Sequence, residues 1–220
     1  MSGIYAVIPV KLLRDSKSRL SSILNPEKRE TLTLLMLEDV VNAIQSSKLI
    51  EKILVVTPDE KVIQLNRRLD VDSLASNFND LNRDLETGLG WCQKNGAKSV
   101  LIVLADLPAI TGRDLKNIIG LAYDVPNAVI APSRDGGTNV LLLHPCDLIG
   151  PSFGLGSFER HMLRLKSVGV EVKVYQSNGT ALDIDTPKDV LKFSRKENYF
   201  FHHLKSWNYL RTIISDCYYV

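Results

Sequence analysis

The segment Val100-Leu101-Ile102-Val103-Leu104-Ala105-Asp106-Leu107-Pro108 decides the architecture. Its five leading aliphatic residues read as a buried strand, and the strand runs directly into an aspartate at its carboxyl end. Outward from it the same signature recurs. Ile4 to Val10 and Ile53 to Thr57 are buried strands, with a short one near Val71 to Leu74. Further strands are expected at Val129 to Ala131, Val140 to Leu143, Val170 to Tyr175 and Leu182 to Ile184.

Helices are expected between them. Asn25-Pro26-Glu27 opens one that runs to about Ser46, with Asn as cap, Pro in the first turn and Glu favoured by the dipole. Pro58-Asp59 opens a second, and Leu81 to Lys94 forms a third that ends at Asn95-Gly96. Thr111 to Ala122, Ser157 to Val168 and a helix begun by Thr186-Pro187-Lys188-Asp189 complete the set. Alternating strands and helices predict an α/β fold with a mostly parallel sheet.

At 220 residues the chain is long enough for one domain with an appendage. The expected division is a domain over 1–195 and a C-terminal helical appendage over 196–220, where Tyr199 to Val220 is aromatic-rich and lacks Gly and Pro. That appendage is expected to pack on the domain or on a second subunit, which fits a homodimer. A composition 45% hydrophobic and 24% charged is that of a globular chain able to bury a core. The net charge of +2 is too small to argue for a nucleic-acid partner. Cys92, Cys146 and Cys217 are far apart and not at metal-ligand spacing, so free thiols in a reducing compartment are expected. No apolar run approaches the roughly 20 residues that span a bilayer. The start at Ile4 to Ile8 lacks a basic region before it, so no membrane association is expected and the cytoplasm is the expected compartment.

In an open parallel sheet, ligands gather at the carboxyl ends of the strands. Three places fit. After the first strand come Lys11, Arg14, Lys17 and Arg19, four cations in a segment without apolar period. They suit a triphosphate or form a solvated basic loop. Asp106 ends a buried strand, and Asp183 and Asp185 lie two apart, so on an extended segment both face one side. Together the three could hold Mg²⁺; separately they read as a turn or cap and a solvated strand end. Third, Phe153-Gly154-Leu155-Gly156-Ser157 places glycines before a helix, a seat for a carboxylate or phosphate or an ordinary loop with Ser157 as cap. A dinucleotide fingerprint, a Walker loop and a nucleophile elbow are absent from the sequence. His144, His161, His202 and His203 have no partner at metal or triad spacing and read as structural.

Taken together, Ile8-Pro9-Val10-Lys11, Ser16-Lys17-Ser18-Arg19-Leu20, Leu104-Ala105-Asp106-Leu107-Pro108, Ser133-Arg134-Asp135-Gly136-Gly137-Thr138-Asn139, Phe153-Gly154-Leu155-Gly156-Ser157 and Leu182-Asp183-Ile184-Asp185-Thr186-Pro187 resemble the archaeal 2-phospho-L-lactate guanylyltransferase family of coenzyme F-420 biosynthesis. The order and spacing hold to about residue 195; Lys196 to Val220 matches nothing in that pattern.

The resemblance implies a Rossmann-like nucleotidyltransferase fold of the nucleotide-diphospho-sugar transferase type, with three layers. It implies that GTP and 2-phospho-L-lactate give lactyl-2-diphospho-5'-guanosine and pyrophosphate; bacterial relatives use phosphoenolpyruvate. By the same resemblance Asp106, Asp183 and Asp185 hold the metal, and Lys11, Lys17 and Arg19 handle the triphosphate. Lys11 and Asp106 are the expected catalytic pair. Asn82 falls where related enzymes touch the base, and Thr138, Gly154 and Ser157 contact the small phosphorylated hydroxy acid. Rival readings are another nucleotidyltransferase of the same fold, a glycosyltransferase with its own Asp-x-Asp pair, and a non-catalytic nucleotide-binding protein.

Overall fold

A computed structural model describes residues 3–76, 78, 80–122, 126–194 and 201–215. Seven strands form one sheet: β1 Ile4–Pro9, β2 Lys52–Val56, β3 Asp72–Leu74, β4 Ser99–Val103, β5 Asn127–Pro132, β6 Thr138–His144 and β7 Glu171–Val174. Their spatial order is β3-β2-β1-β4-β6-β5-β7. All pairings are parallel except those of β6, which runs antiparallel to both β4 and β5. The mostly parallel α/β sheet expected from the sequence is therefore present.

Because successive strand residues point to opposite faces, each strand feeds two cores. Ile4, Ala6 and Ile8 face one side with Leu101 and Val103; Tyr5 and Val7 face the other with Val100 and Ile102. Helices α1 Pro26–Ser47, α2 Glu60–Leu69 and α4 Gly112–Gly120 cover the first face. Helices α3 Leu81–Lys94 and α5 Ser157–Ser167 cover the second. Their starts follow the expected chemistry. Asn25 accepts from Lys28 N–H, and Asp80 accepts from the N–H groups of Asn82 and Arg83. Thr111 and Asp114 form a reciprocal capping box. On α3, Gly88 is required by close approach, since a Cβ there would lie 2.9 Å from both Val7 and Val56.

One expectation needs correction. Leu182 to Ile184 is not a strand. The segment joins no strand; Ile184 N–H donates to the Asp106 carbonyl at 3.1 Å, and the Asp183 carbonyl accepts from Arg134. Leu182 and Ile184 instead enter a third apolar cluster with Leu20, Leu24, Trp207 and Leu210.

That cluster also answers where the C-terminal segment goes. Helices α6 Pro187–Ser194 and α7 Lys205–Ser215 pack against each other and α7 against α1, within the same chain. Of the remaining tail, Arg195 to Phe200 and Asp216 to Val220 lie outside the described residues, Cys217 included. Cys92 and Cys146 are buried free thiols, as expected. Among the described residues no helix is long and apolar enough to cross a membrane.

Candidate active site

The carboxyl ends of β1 and β4 and the start of antiparallel β6 meet at one edge of the sheet. The chain leaving β1 there makes two tight helical turns, Leu13–Asp15 and Ser18–Leu20. Their buried Leu13 and Leu20 hold the loop down. The polar residues between them border a cavity of about 360 Å³ with Lys11, Lys17, Arg19, Asp106 and Asp185 in its wall.

The four expected phosphate cations do not behave alike. Lys11 and Arg19 are exposed on the cavity wall, and neither forms an ion pair among the described residues. Arg14 is exposed and lies nearest Asp15, at 3.8 Å. Lys17 is turned inward. Its ammonium donates to Asp106 Oδ2 at 2.7 Å and to Asp185 Oδ1 at 2.6 Å. Its backbone is left-handed, φ 53°, an uncommon conformation for a side chain with a Cβ. Burial pulls the Lys17 pKa down, but the two carboxylates and their hydrogen bonds outweigh it, and the net direction is up. Lys17 is thus held as a cation at neutral pH.

Asp106 and Asp185 are linked through Lys17, and Asp183 lies near enough to feel the charge of both. The 183–185 segment is fastened by Ile184 to the Asp106 carbonyl and by Arg134, whose guanidinium donates to the Asp183 carbonyl at 3.2 Å and to Asp189 at 2.7 Å. Asp189 in turn accepts from Thr186 N–H and hydroxyl. Burial raises the Asp183 pKa, the charges of Asp106 and Asp185 add to it, and Arg134 opposes it. Asp106 Oδ1 and Asp183 Oδ1 are buried and have no hydrogen-bond partner. The Asp183 oxygen lies 3.7 Å from the Arg134 guanidinium, and a buried carboxylate oxygen without a hydrogen bond, as on Asp106, fits a hard cation. A ready cage of three or more ligands is absent among the described residues. Lys17 stands between Asp106 and Asp185 in its place.

The glycine loop is beside this edge. Gly154 and Gly156 have φ of 116° and 66°, values that favour glycine, and the second lets the chain turn into α5. Ser157 is fully buried, and its hydroxyl donates to Thr138 Oγ1 at 3.2 Å. So Thr138, Gly154 and Ser157 do gather. Asn82 is directed to this loop: its amide donates to the Phe153 carbonyl at 3.2 Å and its oxygen accepts from Phe153 N–H at 2.6 Å.

Sequence reasoning passed over two residues here. Arg134 lies inside a quoted motif, yet its pairing with Asp189 spans 55 positions and carries no local signal. His161 was read as structural; it contacts Thr138.

Residues 4–217 match the model of the family described as guanylyl transferase CofC like. The chain belongs to this guanylyltransferase family. Among its relatives is the phosphoenolpyruvate guanylyltransferase of Sphaerobacter thermophilus, 38% identical over 186 residues, covering 84% of this chain and 89% of that one. The 2-phospho-L-lactate guanylyltransferase of Methanobrevibacter smithii is 33% identical over 191 residues, covering 86% and 83%. A nucleotide-diphospho-sugar transferase structure from Desulfovibrio desulfuricans G20 shares the fold, with TM-score 0.79, 16% identity and 98% coverage of both chains. The guanylyltransferase is therefore a nucleotidyltransferase of the three-layer α/β type that the motifs implied. Its cavity wall carries Lys11 and Arg19, in no ion pair among the described residues, together with Asp106 and Asp185.

Proposed function

We propose that the protein transfers GMP from GTP to the phosphate of 2-phospho-L-lactate, releasing pyrophosphate, a step of coenzyme F-420 biosynthesis. The observation that carries this is that Lys11 and Arg19, in no ion pair among the described residues, share one cavity wall with Asp106 and Asp185. Cations so placed neutralise a triphosphate and the charge that grows on departing pyrophosphate. Lys11 and Asp106 are the residues closest in role to the reacting phosphorus, with Lys17 reaching the phosphates when it leaves the carboxylates. Thr138 and the backbone at Gly154 hold the acceptor acid, and Ser157 serves that seat through the hydrogen bond it donates to Thr138. Asn82 supports that loop through Phe153.

Asp106, Asp183 and Asp185 would hold Mg²⁺, which suits the Asp106 and Asp183 oxygens that lack a hydrogen bond and, when bound, would supply charge neutralisation at the phosphates. An acceptor phosphate oxygen attacks the α-phosphorus in line and the bond to pyrophosphate breaks. That oxygen is already anionic at pH 7, so no strong general base is needed; positioning carries the rest. The same reading keeps a homodimer as the assembly and the cytoplasm as the compartment, the former open to sedimentation analysis.

A second acceptor has a specific observation in its favour. Relatives 38% and 40% identical are named phosphoenolpyruvate guanylyltransferases. The test is pyrophosphate release from GTP and Mg²⁺ with each acid offered separately. Release dependent on phospholactate supports the first reading, and release dependent on phosphoenolpyruvate alone selects the second. Turnover with neither acid refutes both.

A further inference from the structure

Behind the acceptor loop, a buried ring gives Thr138 a hydrogen-bonding direction. His161 on α5 is fully buried, and its Nε2 lies 3.0 Å from the Ser152 backbone N–H. A backbone N–H only donates, so Nε2 is the unprotonated nitrogen. Burial first, then Arg160 and Arg164, pushes the ring pKa down to about 4, so the ring is neutral at pH 7. Its single proton therefore sits on Nδ1, 3.0 Å from Thr138 Oγ1. Ser157 donates to the same Thr138 oxygen at 3.2 Å. With one proton arriving from the ring and one from Ser157, both lone pairs of Thr138 Oγ1 are filled. What remains to Thr138 is its own proton.

We propose that His161 is a positioning residue that fixes Thr138 as a hydrogen-bond donor toward an anionic oxygen of the acceptor. The inference rests on the guanylyl-transfer reading and extends it to substrate class. A threonine whose lone pairs are filled pairs with an oxygen that only accepts, as in a carboxylate or a phosphate. It gives no welcome to a group that must donate. The ring's edge-on contact with Phe153, centroids 5.0 Å apart, ties this arrangement to the glycine loop.

The two ring nitrogens can be tested apart. In H161N the amide nitrogen stands near the place of Nδ1, so donation to Thr138 is kept and the Ser152 contact is lost. In H161Q the amide oxygen stands near the place of Nε2, so the Ser152 contact is kept and donation to Thr138 is lost. Pyrophosphate release should give H161N an acceptor KM within about threefold of the parent and H161Q one raised about tenfold or more. The KM for GTP should stay put in both. Long-range nitrogen–proton NMR of the unaltered protein should show His161 neutral with its proton on Nδ1, a readout that needs no variant to fold. An Nε2–H ring, or an acceptor KM raised equally in both variants, overturns the proposal while leaving guanylyl transfer in place. An unaltered protein that releases no pyrophosphate with either acid overturns the functional reading, and the acceptor role of Thr138 falls with it. The Nδ1–H assignment would then stand as a structural feature only.

Discussion

Lys17 donates to Asp106 across 2.7 Å, from a position 89 residues earlier in the chain, and its second bond reaches Asp185, 168 residues later. One ammonium therefore bridges both carboxylates and offsets one of their two negative charges. The raised Lys17 pKa gives the sign of its pH dependence. The contribution of Lys17's own titration is present below 10.5, the ordinary lysine value, and is lost as pH rises through the higher folded value.

Lys17→Met should thus leave two carboxylates uncompensated. Asp185 is 41% exposed, so solvent screens part of the loss. The expected cost is about 1–2 kcal/mol, a fall of several degrees in melting temperature. Added Mg²⁺ should narrow the gap to the parent, because a divalent cation can replace the missing charge. A gap that is the same with and without Mg²⁺ would refute the idea that ammonium and metal serve one site.

Asp183→Asn should trade function for stability. The ionised form of Asp183 is disfavoured by burial and by its two acidic neighbours. Because its folded pKa is raised, the cost is present above that value and fades as pH falls toward 3.8. The variant should melt higher than the parent at pH 7, by about 1 kcal/mol, and lose the difference in acid. Turnover should drop about a hundredfold or more. A variant with near-normal turnover would remove Asp183 from the site.

Much of this was legible in the sequence because it is local. Leu81–Lys94 has the bounds its cap and terminal Asn-Gly indicate, and β1, β2 and β4 fall within a residue or so of their aliphatic runs. The strand expected at Leu182 to Ile184 shows the limit. Alternating Leu-Asp-Ile-Asp looks like a half-buried strand, yet which neighbour takes its backbone bonds is a tertiary matter. The same holds for Lys17. Its charge and its place after β1 were readable, but its partners are set by the fold. The direction of β6 also lay outside local pattern, since a strand's periodicity is the same whichever way it runs.

Stability below neutrality should be dominated by His161. An unfolded histidine takes up a proton near pH 6.5, whereas the folded ring resists until about 4. Stability is therefore whole above 6.5 and falls as pH drops from 6.5 to 4, by on the order of 3 kcal/mol for this group. Denaturant titrations should show this slope in the parent and a flatter one in H161N. Equal slopes would mean that the folded ring takes up its proton as readily as the unfolded one, against its acceptance of the Ser152 N–H.

Asp39 supplies the last test, of the C-terminal helix. Although it lies on α1, its carboxylate caps α7 by accepting from the N–H groups of Lys205 and Ser206, both at 2.9 Å, and from the Ser206 hydroxyl at 2.6 Å. Trp207, Leu210 and Ile213 then pack in the cluster that also holds Leu20 beside the basic loop and Ile184 between the two aspartates. Asp39→Ala removes a cap and strands three donors, at a cost of about 2–3 kcal/mol. Trypsin should then cut at Lys205 and Arg211 faster than in the parent. If α7 buttresses the site through that cluster, kcat should fall as well, since Lys17 and Asp185 would lose their backing. Faster cleavage with an unchanged kcat would show that α7 stabilises the chain without holding its chemistry in place.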